Sequence, residues 1–328
     1  MHEGPRYLPV LARKPDVDQA ALDALVDRAF GTTVPVSCQR TPDGLRTQVY
    51  RLRRDRETFY LRLAEEADEN LEAEAELFRQ LRQLGVRVPE PIHVEPFDPA
   101  LGRSVLITTE IHGVPLEQVS VRSGATTALQ EAGADLARLN QHPVKGFGWI
   151  QRRGPGPLQA QLDTYGRFVI DGLPPRHTWP GPLATAFSTE TLDAIERLVE
   201  QEITRPVPDA TLAHGDLTLA HIFVQRGAYT GLIDFGEIRG TDSLFDLGFF
   251  HLNAPEVLGV PLLPALLEGY QRVQPLPPDH LESIRRSAVV HGLPDLCGWL
   301  APERGIPRDH PVVAARVSRI AELVAQPG

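Results

Sequence analysis

The amino-acid sequence predicts an α+β protein with two lobes. In the first third, short runs of alternating and β-branched residues between tight turns are typical of strands. In the remainder, most apolar residues recur at helical spacing. This change of character within one chain of 328 residues indicates two lobes. We expect the first lobe to span residues 1–110 and the second residues 111–328, with a hinge around residues 108–116.

The first lobe is predicted to be a small antiparallel sheet with two helices. Residues 16–31 begin with acids, show helical spacing and end at a glycine, so they predict an amphipathic helix. Residues 34–64 contain three short strands joined by tight connections, an antiparallel meander. Residues 65–85 predict a helix with an acidic start, and residues 86–97 and 103–113 predict two further strands.

The second lobe is predicted to be mainly helical. Residues 126–140 and 189–203 form helices, and the segment KGFGWI closes a turn after the first of them. Residues 151–184, rich in glycine and proline, form an irregular excursion with a short helix around 158–170. The segments HIFVQ and TGLIDFG form a strand pair. Four helices follow, near residues 242–252, 261–272, 279–290 and 309–325.

Composition excludes several classes of protein. Acidic residues outnumber basic ones 43 to 33, which gives a net charge of -10 and argues against a nucleic-acid partner. No apolar run approaches the ~20 residues of a membrane span, so no membrane partner is expected. Cys38 and Cys297 lie far apart and no apolar segment leads the chain. We therefore expect reduced thiols in a cytoplasmic protein.

Two carboxylates in the second lobe carry the strongest chemical signal. The stretch HGDLTLAH places Asp216 between His214 and His221, and the stretch IDFG places Asp234 18 residues after Asp216. The spacing is that of the kinase pattern His-x-Asp, four residues, Asn, and then Asp-Phe-Gly. Phosphoryl transfer needs a carboxylate that receives the proton of the attacking hydroxyl, and hard ligands for Mg²⁺. The sequence therefore predicts Asp216 as the catalytic base and Asp234 as a metal ligand.

Around these residues the chain resembles the aminoglycoside phosphotransferase family, which comprises small-molecule kinases with a protein-kinase-like fold. HGDLTLAH is similar to the family's HGDLHPGN, and LIDFGEIRGTDSLFDLG to its IDFG, GDP and DLA segments. Further segments resemble family segments, namely GVRVPEPI, LITTEIHGVPL and LARLNQHPVKGFGWI. The resemblance covers residues from about 34 to 250. It implies a phosphotransferase that moves the γ-phosphate of ATP or GTP to a hydroxyl of a small molecule.

The resemblance also implies a metal site and a class of acceptor. His221 stands where the family has Asn, as it does in the macrolide phosphotransferase branch, and it would hold Mg²⁺ together with Asp234. Imidazole is a poorer partner for Mg²⁺ than an amide oxygen. The acceptor would be a macrolide or an aminoglycoside antibiotic, with the apolar, Pro-rich composition favouring a bulky macrolide. Acceptor-binding residues are expected from residues 151–184 and 255–325.

On the nucleotide side, a cation from the third strand is expected to bind the phosphates, oriented by an acid of the next helix. Arg62 occupies the position of the usual lysine, and Glu74 is its expected partner, with Glu72 and Glu76 as rivals. Gly44 lies in the turn expected to cover the phosphates. The purine is expected to bind backbone groups near three hinge residues, Glu110, Ile111 and His112.

Two alternatives stay open at this point. A pseudokinase would keep the fold and nucleotide binding but lose the chemistry through Arg62 and His221. A metallohydrolase would gather His214, Asp216, His221 and Asp234 around zinc or manganese. The second alternative requires His214 to face the other three side chains.

Overall fold

The computed structural model describes most of the chain. The described residues are 14–31, 34–42, 47–119, 124–154, 156–173, 180–254, 261–301, 304 and 306–326. The predicted phosphate-covering residue Gly44 lies outside the described residues.

The first lobe is a five-stranded antiparallel sheet with a helix on each face. The strands lie in the order β1-β2-β3-β5-β4, so the predicted meander is confirmed. The elements are α1 (Gln19–Phe30), β1 (Val36–Arg40), β2 (Gln48–Arg54), β3 (Glu57–Leu63), α2 (Glu72–Gln83), β4 (Pro91–Asp98) and β5 (Arg103–Thr109).

Helix α2 begins later than the sequence predicts, at Glu72 rather than near residue 65. The peptide N–H of Asn70 donates to the Arg152 carbonyl at 2.7 Å, and that of Leu71 donates to Ser104 Oγ at 3.0 Å. The Asn70 side chain accepts from the N–H of Glu72 at 2.8 Å. These bonds satisfy the backbone outside a helix. The two to Arg152 and Ser104 are long-range, and no local sequence pattern reveals them.

The two faces of the sheet belong to different cores. Leu22 and Leu25 of α1 pack with Leu52 and Leu61 of the sheet in a core confined to the first lobe. Helix α2 lies in the larger core, which continues into the second lobe. Burial of this apolar surface fixes α2 against the residues that follow Asp234. The Phe78 and Phe235 rings, for example, meet edge to face with centroids 5.0 Å apart.

The second lobe contains eight helices and eight short strands among its described residues. Its strands form two sheets, in the orders β7-β10-β13-β8-β9 and β12-β11-β6. The elements are β6 (Val114–Pro115), α3 (Ala125–Leu139), β7 (Pro143–Val144), β8 (Phe147–Ile150), β9 (Ala160–Leu162), α4 (Tyr165–Asp171), α5 (Pro180–Ala184), α6 (Thr189–Thr204), β10 (Ala210–Ala213), β11 (Ile222–Gln225), β12 (Ala228–Leu232), β13 (Arg239–Thr241), α7 (Phe245–Asn253), α8 (Leu262–Gln271), α9 (His280–Leu300) and α10 (Pro311–Ala325).

Three local predictions in this lobe were wrong. The segment KGFGWI contains strand β8, which pairs with β9 and β13, instead of only closing a turn. The short helix of the excursion is α4, which begins at Tyr165 after a strand. Helix α9 continues to Leu300 through Pro294, because Leu293, Leu296 and Cys297 are buried and hold it in the core. No helix in the described part of the chain is long and apolar enough to cross a membrane.

Candidate active site

The loop that carries Asp216 follows strand β10 and passes very close to the loop that carries Asp234. Gly215 has a φ of 87°, in the left-handed region, and a Cβ there would lie 1.8 Å from the carbonyl oxygen of Glu237. Only glycine allows this approach. The sequence HGD therefore brings the two predicted acidic residues together through backbone contact.

His214 is fully buried beneath this loop and is oriented by two hydrogen bonds. Its Nε2 lies 2.8 Å from the Ile233 carbonyl, and its Nδ1 lies 3.3 Å from the peptide N–H of Asp216. These partners require a proton on Nε2 and none on Nδ1, so the ring is neutral. Burial and the neighbouring His221 lower the pKa of His214 to about 4. His214 thus ties the Asp216 loop to the end of β12.

The carboxylate of Asp246 holds the same loop from the other side. Its two oxygens accept the peptide N–H groups of His214 and Gly215 at 2.8 and 2.9 Å. From the sequence, Asp246 is expected to cap and anchor the helix that follows, not to hold the Asp216 loop. Asp246 is fully buried in the first turn of α7, and burial raises its pKa.

The side chains of Asp216, His221 and Asp234 form one cluster. One ligand atom from each lies within 4.8 Å of the others. His221 Nδ1 lies 2.6 Å from the carbonyl oxygen of Asp216, so this nitrogen carries the proton and donates. In the neutral tautomer that this bond selects, Nε2 carries the lone pair; it lies 3.5 Å from Asp234 Oδ2. An imidazole anchored to a carbonyl through its other nitrogen is the usual arrangement of a metal-binding histidine, so this donor set fits a divalent cation.

The two carboxylates differ in environment. Burial raises the pKa of Asp216 to about 6, with His221 opposing the shift and Asp234 adding to it. Asp234 is more exposed and adopts a left-handed backbone conformation with a φ of 65°. Its Oδ1 accepts the N–H of Gly236 at 3.4 Å, an Asx-type bond that makes this conformation accessible to aspartate.

In the first lobe, Arg62 of β3 pairs with Glu74 of α2, with Nη2 and Oε2 2.5 Å apart. Glu74 is 2% exposed, whereas the rival Glu76 is exposed and pairs with Arg79. The other rival, Glu72, hydrogen-bonds to Asn70. Of the three acids considered, Glu74 is therefore the one that faces Arg62.

Arg152 is a site residue that the sequence analysis missed. Its guanidinium donates to the carbonyl of Gly236 at 2.6 Å, and its Nε lies 3.5 Å from Glu74 Oε2. It therefore connects α2 with the turn that follows Asp234. The only sequence signal was an arginine at the start of the Gly- and Pro-rich excursion.

Arg62, Glu74 and Asp234 line a cavity of about 570 Å³, which we name the interlobe cavity. Ile111 also lines it, but two other hinge groups are already engaged. The Glu110 N–H donates to the Thr58 carbonyl at 3.3 Å, and the His112 carbonyl accepts from Thr230 at 2.6 Å. Of the three predicted hinge residues, Ile111 is the one that lines the cavity.

A second cavity, of about 610 Å³, lies on the other side of the cluster and is lined by Asp216. Its walls include residues of the range 161–173 and residues of the range 290–295. Both ranges fall within the segments from which acceptor-binding residues were expected. The cluster therefore stands between two cavities, with Asp234 facing one and Asp216 the other.

The geometry does not favour the metallohydrolase alternative. That hypothesis requires His214 in the metal cluster, but both ring nitrogens of His214 are engaged with the backbone. Among the described residues, the cluster able to hold a metal ion contains Asp216, His221 and Asp234.

The fold and the site define a kinase-like small-molecule phosphotransferase. The chain belongs to the phosphotransferase enzyme family, whose model matches residues 37–283. This finding confirms the family resemblance and the two-lobed fold class expected from the sequence. The position of the lobe boundary between residues 110 and 111 stays a prediction.

Solved structures of similar fold come from several kinases. A mutant of aminoglycoside phosphotransferase APH(4)-Ia in complex with ADP and hygromycin B has a TM-score of 0.64 at 15% identity, covering 94% of this chain and 100% of that one. APH(2")-IIia with GDP and kanamycin has a TM-score of 0.60 at 17% identity, with coverages of 94% and 99%. A putative fructosamine-3-kinase from Thermobifida fusca YX-ER1 has a TM-score of 0.58 at 18% identity, with coverages of 94% and 100%. A search of curated proteins found no match.

Proposed function

We propose that this phosphotransferase moves the γ-phosphate of ATP or GTP to a hydroxyl of a small molecule, with Asp216 as the base. The observation that carries the proposal is the position of the cluster between two cavities. A nucleotide in the interlobe cavity and a small molecule with a hydroxyl group in the second cavity would meet at Asp216 and Asp234. Structural relatives that bind a nucleotide together with an aminoglycoside support this two-site arrangement.

In this proposal Arg62 binds the phosphates of the nucleotide and Glu74 orients Arg62. Glu74 orients the guanidinium of Arg62, whose Nε is buried without a hydrogen-bond partner in the described part of the chain. That N–H can donate to a phosphate oxygen, as arginine commonly does. We expect the purine to bind beside Ile111, the predicted hinge residue that lines the cavity.

The metal side rests on His221 and Asp234, which would hold Mg²⁺ through Nε2 and a carboxylate oxygen. When bound, the ion neutralises the charge of the phosphates. The hydrogen bond to the Asp216 carbonyl selects the neutral tautomer of His221 whose lone pair is on Nε2, the form that can ligate a metal.

Asp216 carries the proton transfer. It orients the acceptor hydroxyl, whose oxygen forms a bond to the γ-phosphorus while the bond from that phosphorus to the bridging β-phosphate oxygen breaks. The hydroxyl proton passes to Asp216, and the products are a phosphate ester and a nucleoside diphosphate. His214 and Asp246 keep the loop in place during this step.

Thermal stabilisation tests the proposal against its alternatives. We expect a rise in Tm that requires both a nucleotide and Mg²⁺. A rise with nucleotide alone would favour a pseudokinase, and a rise with metal alone would favour a metallohydrolase. The matched control is Asp234→Asn, which should keep the fold and lose the part of the shift that depends on the metal.

A further inference from the structure

Arg239 is a cation beside the Asp216 loop that has no role in the mechanism proposed above. Its side chain is 14% exposed. The residue begins strand β13, where its backbone pairs with Ala213 of β10 and with Trp149 of β8. Ala213 directly precedes His214, so the backbone of Arg239 lies next to the start of the Asp216 loop.

The guanidinium of Arg239 contacts two aromatic rings. It lies 4.2 Å from the centroid of the Trp149 ring and 5.0 Å from that of the Phe245 ring. A guanidinium gains a cation–π interaction from each ring, and the gain is larger where water is excluded. The packing therefore fixes the position from which Arg239 donates its hydrogen bonds.

From this position Arg239 reaches the point where the two loops of the active site meet. Its Nε donates to the Glu237 carbonyl at 3.1 Å, and this is the carbonyl that a Cβ on Gly215 would strike. The Nε atom itself would lie only 3.0 Å from that Cβ. Glycine at position 215 thus makes room for a carbonyl and a guanidinium together, and the Asp216 loop packs against both.

Arg239 also provides a positive charge among carboxylates. Its Nη2 lies 3.2 Å from Glu237 Oε2. Burial lowers the pKa of Arg239, and the carboxylates of Glu237, Asp246 and Asp216 oppose this shift, so the side chain stays charged. His214 is neutral, and among the described residues that line the second cavity Arg239 is the one arginine or lysine. Without it, the carboxylates would lose the cation that compensates them.

We propose that Arg239 is a positioning residue of this phosphotransferase, which holds the Asp216 loop against the turn that follows Asp234 and offsets the charge of their carboxylates. Its hydrogen bond to the Glu237 carbonyl fixes that turn, and its charge attracts Asp216. A misplacement of a catalytic group by about 1 Å can lower a rate about 10²-fold. The inference rests on the proposed function, in which Asp216 orients the acceptor hydroxyl, and it adds a residue that acts through Asp216.

Two substitutions test this inference without a known acceptor. Arg239→Met keeps an unbranched side chain beside the rings but removes the charge and the Nε–H, whereas Arg239→Lys keeps the charge. We expect Arg239→Met to speed hydrogen exchange of residues 213–219 about tenfold or more and to leave residues 125–139 of α3 unchanged, because only the loop opens. Arg239→Lys should restore part of the protection. Arg197→Met, on the exposed face of α6, is the matched control and should equal wild type.

Kinetics separate a positioning role from a general loss of packing. The reaction measured is release of inorganic phosphate from ATP or GTP with Mg²⁺, in which water takes the place of the acceptor. We expect Arg239→Met to lower kcat about tenfold or more and to leave KM for the nucleotide within about twofold of wild type. In an Asp216→Asn background the same substitution should cause little further loss, because its effect passes through Asp216.

Three results would overturn the positioning role. These are unchanged exchange of residues 213–219 in Arg239→Met, an equal increase in residues 125–139, and losses of kcat that multiply in the double variant. The rise in Tm of wild-type protein with nucleotide and Mg²⁺ reports separately on the proposed function. Without that rise the phosphotransferase assignment fails, whereas the exchange measurement still decides whether Arg239 holds the Asp216 loop.

Discussion

His221 is hydrogen-bonded to the backbone of Asp216, the proposed base, with its Nδ1 2.6 Å from the Asp216 carbonyl oxygen. In the neutral tautomer that this bond selects, the lone pair is on Nε2, which lies 3.5 Å from Asp234 Oδ2. An Asn at this position would offer an oxygen instead, which Mg²⁺ prefers, whereas imidazole favours transition metals. With His221 in place of Asn, the site should bind Mg²⁺ less well, relative to transition metals, than an Asn site would.

Replacing His221 should change the response to metal. We expect His221→Ala to raise the Mg²⁺ concentration needed for nucleotide-dependent stabilisation by at least about tenfold, in keeping with losses seen when metal sites lose supporting groups. His221→Asn should retain Mg²⁺ binding and lose preference for Mn²⁺. Thermal shift titrations with each metal and ADP measure both effects, with His93→Ala in β4 as control. Equal metal dependence in all variants would rule out ligation by His221.

Replacing Glu74 should displace the arginines that it pairs with and so impair the use of nucleotide. Glu74→Gln leaves Arg62 and Arg152 without their shared carboxylate in a buried environment. We expect kcat/KM for the nucleotide to fall at least about tenfold, since small misplacements of positioning groups have large effects. The control is Glu76→Gln on the exposed face of the same helix, which should behave like wild type. Steady-state kinetics with varied nucleotide makes the comparison, and equal losses in both variants would contradict the pairing.

Arg152 should hold Glu74 and the turn after Asp234 in place, since it contacts both α2 and that turn. We expect Arg152→Ala to lower kcat about tenfold or more. Its exposed neighbour Arg153 supplies the control, Arg153→Ala, which should leave kcat unchanged. Arg152→Lys keeps the charge but loses the planar donor geometry, so it should rescue only part of the activity. Full activity in Arg152→Ala would show that the contacts of Arg152 with α2 and with the turn after Asp234 do not position the active site.

Stability should fall as the pH drops below about 6.5. Burial and the nearby Arg319 lower the pKa of His251 from 6.5 to about 4. Between pH 4 and 6.5 the unfolded chain binds a proton at His251 that the folded chain does not. The contribution of His251 to the free energy of unfolding is therefore complete above pH 6.5 and is lost toward pH 4. The steepest change for this one group is about 1.4 kcal/mol per pH unit. His251→Gln should reduce the decrease in Tm between pH 7.5 and 5, and an unchanged decrease would contradict this assignment.

The sequence predicted the residues whose signal is local spacing. Asp216, His221 and Asp234 are recognisable because a short loop and a hairpin bring them together. Glu74 was found from helical register. Arg152 was missed, and Asp246 was expected only as a cap and anchor of the next helix, because their contacts join segments that are distant in sequence.

The same distinction applies to the fold. The meander follows from periodicity, and so do helices α3 and α6, whose ends were predicted to within one residue. The start of α2 and the continuation of α9 through Pro294 depend on tertiary contacts, namely the bonds to Arg152 and Ser104 and the burial of Leu293 and Leu296. Tertiary packing can override local propensity in this way.

The central claim is that Asp216 accepts the proton of the acceptor hydroxyl. The most direct measurement is transfer of the γ-phosphate by Asp216→Asn, which preserves the shape of the side chain, together with nucleotide- and Mg²⁺-dependent stabilisation of the same variant. Removal of a general base typically lowers the rate by about 10²- to 10⁴-fold. We predict a loss of this size in phosphate transfer with nucleotide binding retained. Transfer at the wild-type rate by Asp216→Asn would contradict the mechanism.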